Sequence, residues 1–309
     1  MSIGLRRRDF IAGLGGAAAW PLATQAQQRA LPVVGFVNGS SSVAGFGDAF
    51  RKGLNEAGFI EGQNVTVEYH WLDGRFDRLP SVMNDLVRRG VAVIATGSNL
   101  AAQAAKAATT TIPTVFGVGE DPVKLGLVAS LARPGGNATG TNFFTQEVEA
   151  KRLGLLHELV PKAVRIAVLV NPANVPTAEV TLRDVPEAAR ALGLQIQVLN
   201  ASTSREIEAA FDALARDHAD AIFVGSEAFF LGRRVQFATL TARDRIPAAY
   251  GVRDFVEAGG LMSYGANLAD SYQQVGRYTG QILKGAKPAD LPVVQSTTTT
   301  TNFIGISRG

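Results

Sequence analysis

The chain contains no cysteine in 309 residues. That absence excludes a disulfide framework, a thiolate nucleophile, Cys-ligated zinc, iron–sulfur clusters and a lipid anchor on an N-terminal Cys. Histidine is scarce: His70, His157 and His218 are the only three, too few for a His-rich metal site. Net charge of one sign is also missing. The 30 Lys+Arg against 27 Asp+Glu leave only +3, far from the basic stripe that holds a nucleic acid. No Gly-x-Ser-x-Gly elbow, Walker A loop or His-Glu-x-x-His pair occurs, so the common hydrolase, nucleotide and zinc-protease signatures are absent. No catalytic residue, metal, cofactor or nucleic-acid partner is expected.

What remains is a core-forming composition, 46% hydrophobic and 18% charged, long enough for two domains. The N-terminus reads Arg6-Arg7-Arg8-Asp9-Phe10-Ile11, followed by an uncharged, Gly- and Ala-rich stretch to Gln28. Basic residues, a weak apolar region and small residues in that order describe a signal peptide. The paired arginines before x-Phe-Ile resemble a twin-arginine export signal. Cleavage near Ala26 is expected, which makes the mature protein periplasmic. Without residues 1–26 the chain keeps 27 basic and 26 acidic residues, so most of the excess positive charge belongs to the export segment. Gly13-x-Gly15-x-x-Ala18 also matches a dinucleotide fingerprint, but no strand precedes it and no acidic residue follows at the required spacing.

From Leu31 onward, short apolar runs alternate with amphipathic stretches. Leu31–Val37 is a continuous apolar run ending at Asn38-Gly39-Ser40 and reads as a buried strand. Leu79, Val82, Met83, Leu86 and Val87 recur at helical spacing. Val65, Val67, Tyr69 and Trp71 alternate as a half-buried strand does, and Val91–Ala95 and Thr114–Val118 are two further strands. Strands separated by helices mean βαβ units and a parallel sheet. The pattern then repeats. Val33–Asn38 aligns with Ile166–Asn171, Gly97-Ser98 with Gly225-Ser226, Ile112-Pro113 with Ile246-Pro247, and Gly117-Val118 with Gly251-Val252. Landmarks in the same order predict two homologous, Rossmann-like α/β lobes with parallel sheets. Ligands of such sheets bind at the carboxyl ends of the strands, so two facing edges form a cleft.

The strand-end loops carry binding chemistry. They are Asn38-Gly39-Ser40-Ser41, Gly97-Ser98-Asn99, Gly119-Glu120-Asp121, Asn171 through Asn174, Gly225-Ser226-Glu227 and Tyr250 through Arg253. Gly97-Ser98-Asn99 opens an Ala-rich helix whose free N–H groups suit a carboxylate or phosphate; the same residues serve as an ordinary cap. Glu120-Asp121 is a carboxylate pair that either shares a proton or binds, or caps the turn at Pro122. Phe143, Phe144, Phe229, Phe230, Tyr250 and Tyr264 lie near strand ends or crossovers, where they stack on a flat ligand or fill the core. His157 and His218 read as helix-end residues and His70 as the polar side of a strand.

The stretches Lys106–Val115 (KAATTTIPTV), Asp121–Gly140 (DPVKLGLVASLARPGGNATG) and Gly259–Gly265 (GGLMSYG), with Asn267–Asp270 and Lys287–Leu291, resemble one family. It is the ABC-transporter periplasmic substrate-binding proteins related to the tryptophan- and tyrosine-binding type, and the likeness runs from Arg6 to about Gln295. The resemblance implies a type I periplasmic-binding-protein fold, two lobes joined by a three-crossover hinge. The crossovers are expected near Thr141–Phe143, Ser263–Gly265 and Pro288–Pro292. Residues 31–141 and 265–288 then form the first lobe, and 143–263 and 292–309 the second.

It also implies a monomer that captures a small solute, an amino acid or related carboxylate, and passes it to a permease with its ATPase. The ligand residues it implies are Asn38, Ser41, Gly97, Ser98, Asn99, Gly119, Asp121, Phe144, Asn171, Asn174, Ser226, Glu227, Tyr250 and Tyr264. A sensor that signals ligand state to a membrane receptor is the second reading, and an enzyme using Glu120, Asp121 or Glu227 as base is the third. One departure stands out: the chain finishes in five threonines, Thr297–Thr301, and then Asn302–Gly309. The tail reads either as a truncated or frame-shifted end or as a β-prone extension.

Overall fold

The computed structural model describes residues 30–42, 45–143, 146–296 and 299–304. The expected export segment lies outside the described residues. The body from Pro32 onward is one compact unit. In chain order the first half holds β1 (Val33–Asn38), α1 (Phe46–Glu56), β2 (Thr66–Trp71), α2 (Leu79–Arg89), β3 (Val93–Thr96), α3 (Asn99–Ala108), β4 (Thr114–Val118) and β5 (Ala138–Asn142). Then come α4 (Gln146–Leu159), β6 (Arg165–Val170), α5 (Val175–Ala191), β7 (Gln195–Asn200), α6 (Ser204–Asp217), β8 (Ala221–Val224), α7 (Ala228–Gly232) and α8 (Arg234–Asp244). The chain closes with β9 (Ala248–Tyr250), α9 (Asp254–Glu257), β10 (Met262–Ala266), α10 (Leu268–Leu283), β11 (Val294–Gln295) and β12 (Thr299–Phe303).

Two six-stranded sheets result, ordered β11-β5-β4-β3-β1-β2 and β12-β10-β9-β8-β6-β7. Every described pair is parallel except β10 with β12. The orders correspond strand for strand, with β6 in the place of β1 and β8 in the place of β3, as the duplicated landmarks predict. Both faces of these sheets are covered by helices, which is why their central strands read as unbroken apolar runs rather than alternating ones. The helices follow their stripes: Leu79, Met83 and Leu86 of α2 are buried, as are Ile207, Ala210, Phe211 and Leu214 of α6. A reciprocal capping box between Thr203 and Glu206 starts α6, satisfying two backbone donors at once.

The chain passes between lobes three times. Between β5 and α4 it enters the second lobe, and after β10 it returns to the first. The return is anchored by a helix crossing without side chains at its centre. A Cβ on Gly53 of α1 would lie 1.8 Å from the Gln273 carbonyl oxygen of α10, and one on Gly276 would lie 2.1 Å from the Phe50 oxygen. The third passage departs from the expected Pro288–Pro292. Thr139 Oγ1 donates to the Leu291 oxygen, Tyr278 Oη donates to the Pro292 oxygen, and Val293 N donates to the Leu131 oxygen. These bonds hold the segment on the first lobe, and β11 still pairs with β5. Ser296 N still donates to the Asn142 oxygen of the first lobe, and Thr299 pairs with Ala266 of the second. Within the tail, Thr299–Phe303 form a strand: β12 runs antiparallel along β10, from Met262 opposite Phe303 to Ala266 opposite Thr299. β-Branched side chains favour that extended state, and β12 covers an edge that β10 would otherwise expose. Among the described residues no helix is long and apolar enough to cross a membrane.

Candidate ligand-binding site

The carboxyl ends of both sheets face each other, and the lobes touch. One continuous apolar cluster contains Phe36 and Phe50 of the first lobe with Phe230 and Phe237 of the second. Asn99 Nδ2 donates to Thr177 Oγ1 across the cleft at 3.2 Å. At the mouth, Arg233 is paired in bidentate fashion with Asp73, Nη1 to Oδ1 at 2.5 Å and Nη2 to Oδ2 at 3.2 Å. The same guanidinium donates from Nε to Ser204 Oγ and stacks 4.5 Å from the Phe229 ring centre. A Cβ on Gly74 would lie 2.6 Å from Phe229 Cδ2, so a glycine there lets α7 seat against the first lobe. The lobes are closed.

The lobes enclose a cavity of about 90 Å³, space for a small solute rather than a polymer. Phe46, Val148, Leu231, Val252, Phe255 and Leu268 form its apolar walls. Its polar groups come from strand ends and helix starts of both lobes.

On the first lobe the N-terminus of α3 opens into the cavity through Gly97, Ser98 and Asn99. Ser98 Oγ accepts from Ala101 N and caps the helix, while the first-turn N–H groups of Asn99 and Leu100 have no partner within the helix. Asn99 Oδ1 accepts from Gly119 N at 3.1 Å, tying that loop to α3. The floor beneath is rigid. Asn38 Nδ2 donates to Tyr272 Oη, which donates to the Gly97 oxygen, both at 2.9 Å. The Tyr272 ring stacks 4.3 Å from Phe46, and its burial raises the phenol's pKa, opposed by the Asn38 hydrogen bond.

On the second lobe Asn174, Thr177, Ser226 and Glu227 reach the cavity. Glu227 Oε1 accepts from Phe230 N at 3.0 Å and from Asn171 Nδ2 at 3.1 Å. Its Oε2 makes no well-formed hydrogen bond among the described residues, although the Phe229 N–H and the Asn174 side chain lie close enough to the carboxylate to lower its pKa. Burial pushes this carboxyl above its ordinary 4.5, and the backbone bond from Phe229 and the Asn171 amide pull the other way. Arg152 of α4 comes up behind Ser226, donating from Nη1 to Oγ at 2.7 Å. Glu149 is also buried, which raises its pKa despite the Arg152 charge 3.6 Å away.

Seven of the expected residues line the cavity: Gly97, Ser98, Asn99, Gly119, Asn174, Ser226 and Glu227. Asn38 and Asn171 stand one layer behind, holding Tyr272 and Glu227. Ser41 lies near Gly232 at the closing mouth. Asp121 turns away: its carboxylate accepts from Val123 N at 2.8 Å and caps the turn, and Glu120 is the member of that pair that lines the cavity. Tyr250 is fully buried, stacked 4.4 Å from Phe255, which presents its own ring to the cavity instead. Tyr264 packs on the other core of the second lobe and meets Thr299. Phe144 lies outside the described residues. Arg152, Thr177 and Phe46 are cavity residues that the strand-end loops did not indicate. The signal for Arg152 is in α4: Glu149, Arg152, Leu153 and Leu156 share one helical stripe, and two opposite charges on an apolar stripe are charges going inside.

A family model described as ABC transporter substrate binding protein matches residues 8–306. A tyrosine-binding protein of Clostridioides difficile (strain R20291) is 26% identical over 244 residues, 79% of this chain and 70% of that protein. A solved domain from Streptococcus pneumonia in complex with L-Trp is 23% identical, with TM-score 0.75 over 88% of this chain and 91% of that one. The ligand-free, open structure of a Clostridium difficile substrate binding protein with adhesive properties is 26% identical over the same shares of each chain, with TM-score 0.60.

Proposed function

The chain belongs to the ABC transporter substrate-binding protein family, and we propose that it captures an amino acid or related carboxylate in the interlobe cavity. The observation that carries this is the pairing, in one apolar cavity between the lobes, of a helix N-terminus with a buried carboxylate that has one oxygen, Glu227 Oε2, left without a hydrogen bond among the described residues. The α3 N–H groups hold the ligand carboxylate, Glu227 Oε2 takes the ammonium group, and Phe46, Phe255 and Leu268 enclose the side chain. The tyrosine-binding relative and the Trp-bound neighbour favour an aromatic side chain. The ligand is bound without bond making or breaking, and closure presents one joined face to a membrane permease and its ATPase. The protein acts as a monomer. Residues 1–26 direct export by the twin-arginine route and are removed near Ala26, which delivers the folded protein to the periplasm.

Calorimetric titration of ligand-stripped protein against a panel of amino acids tests this reading. One-to-one binding of at least one member, with an aromatic among the tightest, is expected. A folded, ligand-free protein that binds none of the panel overturns it.

A further inference from the structure

Arg152 is 1% exposed, and its position sets the chemistry of the residue in front of it. A guanidinium only donates hydrogen bonds. Its Nη1 lies 2.7 Å from Ser226 Oγ, so that oxygen is the acceptor and the hydroxyl hydrogen must turn elsewhere. No acceptor for it is found among the described residues, and Ser226 lines the cavity. We propose that Arg152 is a positioning residue that fixes the Ser226 hydroxyl as a donor aimed at an acceptor atom of the ligand, a carboxylate oxygen in the amino-acid reading on which this inference rests.

Three further observations converge on this arrangement. The guanidinium sits 4.2 Å from the Phe223 ring centre, a face that holds a cation in place. Glu149, itself held by Thr181 Oγ1 at 2.8 Å, supplies the compensating charge from behind. Space is kept open as well: a Cβ on Gly251 would lie 2.1 Å from Ser226 Oγ and 2.6 Å from Arg152 Nη1. Any side chain at 251 would break the bond.

The consequence is a donor next to an acceptor. Ser226 donates and the ionised Glu227 only accepts. An α-amino acid carries its carboxylate and ammonium on one carbon, so two consecutive residues of opposite hydrogen-bonding sense read both groups together. The second lobe would then discriminate for the carboxylate as well as for the ammonium group. An ion pair internal to α4, tied to α5 only by the Thr181–Glu149 hydrogen bond, would affect stability and leave that discrimination alone.

The experiment compares Kd for L-tyrosine with tyramine, and for L-tryptophan with tryptamine, the amines lacking the carboxylate. The amine-to-acid ratio of Kd values is the readout. Wild type is expected to prefer the acid, and Ser226→Ala to lower the ratio about tenfold. Arg152→Met lowers it by a similar factor, Arg152→Lys recovers part of it, and the Arg152→Met/Ser226→Ala pair falls no further than either alone. Thermal melting establishes that each variant is folded. A folded Arg152→Met with the wild-type ratio, or losses that multiply in the double variant, overturns the inference. If Arg152→Met does not fold, an unchanged ratio in Ser226→Ala overturns it equally. Wild type that binds amino acids with that outcome leaves the proposed function standing; wild type that binds none of these acids removes both.

Discussion

Asp73→Asn isolates the contact that shuts the cleft. Asp73 has a left-handed backbone, φ 52°, which Asn adopts as readily as Asp, so the change removes charge and little else. Gone are one bidentate pair across the mouth and its charge-assisted hydrogen bonds. Buried charged bonds contribute about 1.5–3 kcal/mol, but Asp73 is 41% and Arg233 22% exposed. Solvent screening brings the contribution to about 1 kcal/mol.

That loss moves the closed-to-open ratio about fivefold toward open. Where the open form predominates without ligand, apparent affinity scales with the closed fraction, so Kd rises about fivefold, chiefly through faster dissociation. The assay is calorimetric titration with stopped-flow release, repeated between about 0.05 and 1 M salt. Wild-type affinity weakens with salt as the Debye length shrinks from more than 10 Å to about 3 Å, and the variant's dependence is flatter. Unchanged Kd together with an unchanged salt dependence would refute the latch. So would full additivity of Asp73→Asn and Arg233→Met in a double-mutant cycle.

Glu227 makes ligand binding sensitive to pH. Its pKa is raised by burial above 4.5, so the stability tied to its neutral form is present below that value and fades as pH rises through the raised one. An incoming ammonium group favours the carboxylate, so affinity increases with pH across that window and a proton is released; titrations in buffers of differing ionisation enthalpy measure both. Glu227→Gln should flatten the profile and weaken binding about tenfold or more. Gly53→Val drives a side chain into the Gln273 carbonyl and should cost about 3 kcal/mol of stability; a melting temperature equal to wild type would show that α1 and α10 do not meet as described.

The sequence made the duplicated architecture legible because buried parallel strands and helical stripes leave strong periodic signals. Val33–Asn38 and Ile166–Asn171 occupy equivalent central strands, β1 and β6, of the two sheets. The third passage was misplaced because β11 spans only Val294–Gln295 and its attachment rests on hydrogen bonds to residues over a hundred positions away. In the site, strand-end loops announced Gly97–Asn99 and Ser226-Glu227. Tyr250 and Phe255 show the limit: both are aromatics after a strand, and only three-dimensional packing decides which ring faces the cavity. Arg152 and Ser226 meet across 74 positions, a relation that no local spacing encodes.

The absence of cysteine makes the central claim, solute capture by closure, directly measurable. Asp77 and Arg205 are exposed and lie on opposite lobes, four residues after Asp73 and next to Ser204, which Arg233 joins across the mouth, so Asp77→Cys/Arg205→Cys accepts two spin labels and no others. Pulsed electron resonance then gives the inter-label distance with and without the tightest-binding amino acid of the panel. The account predicts a long, broad distribution for stripped protein that shortens and narrows with ligand, and it predicts that Asp73→Asn needs more ligand for the same shift. One distribution, the same with saturating ligand and without it, would contradict capture by closure.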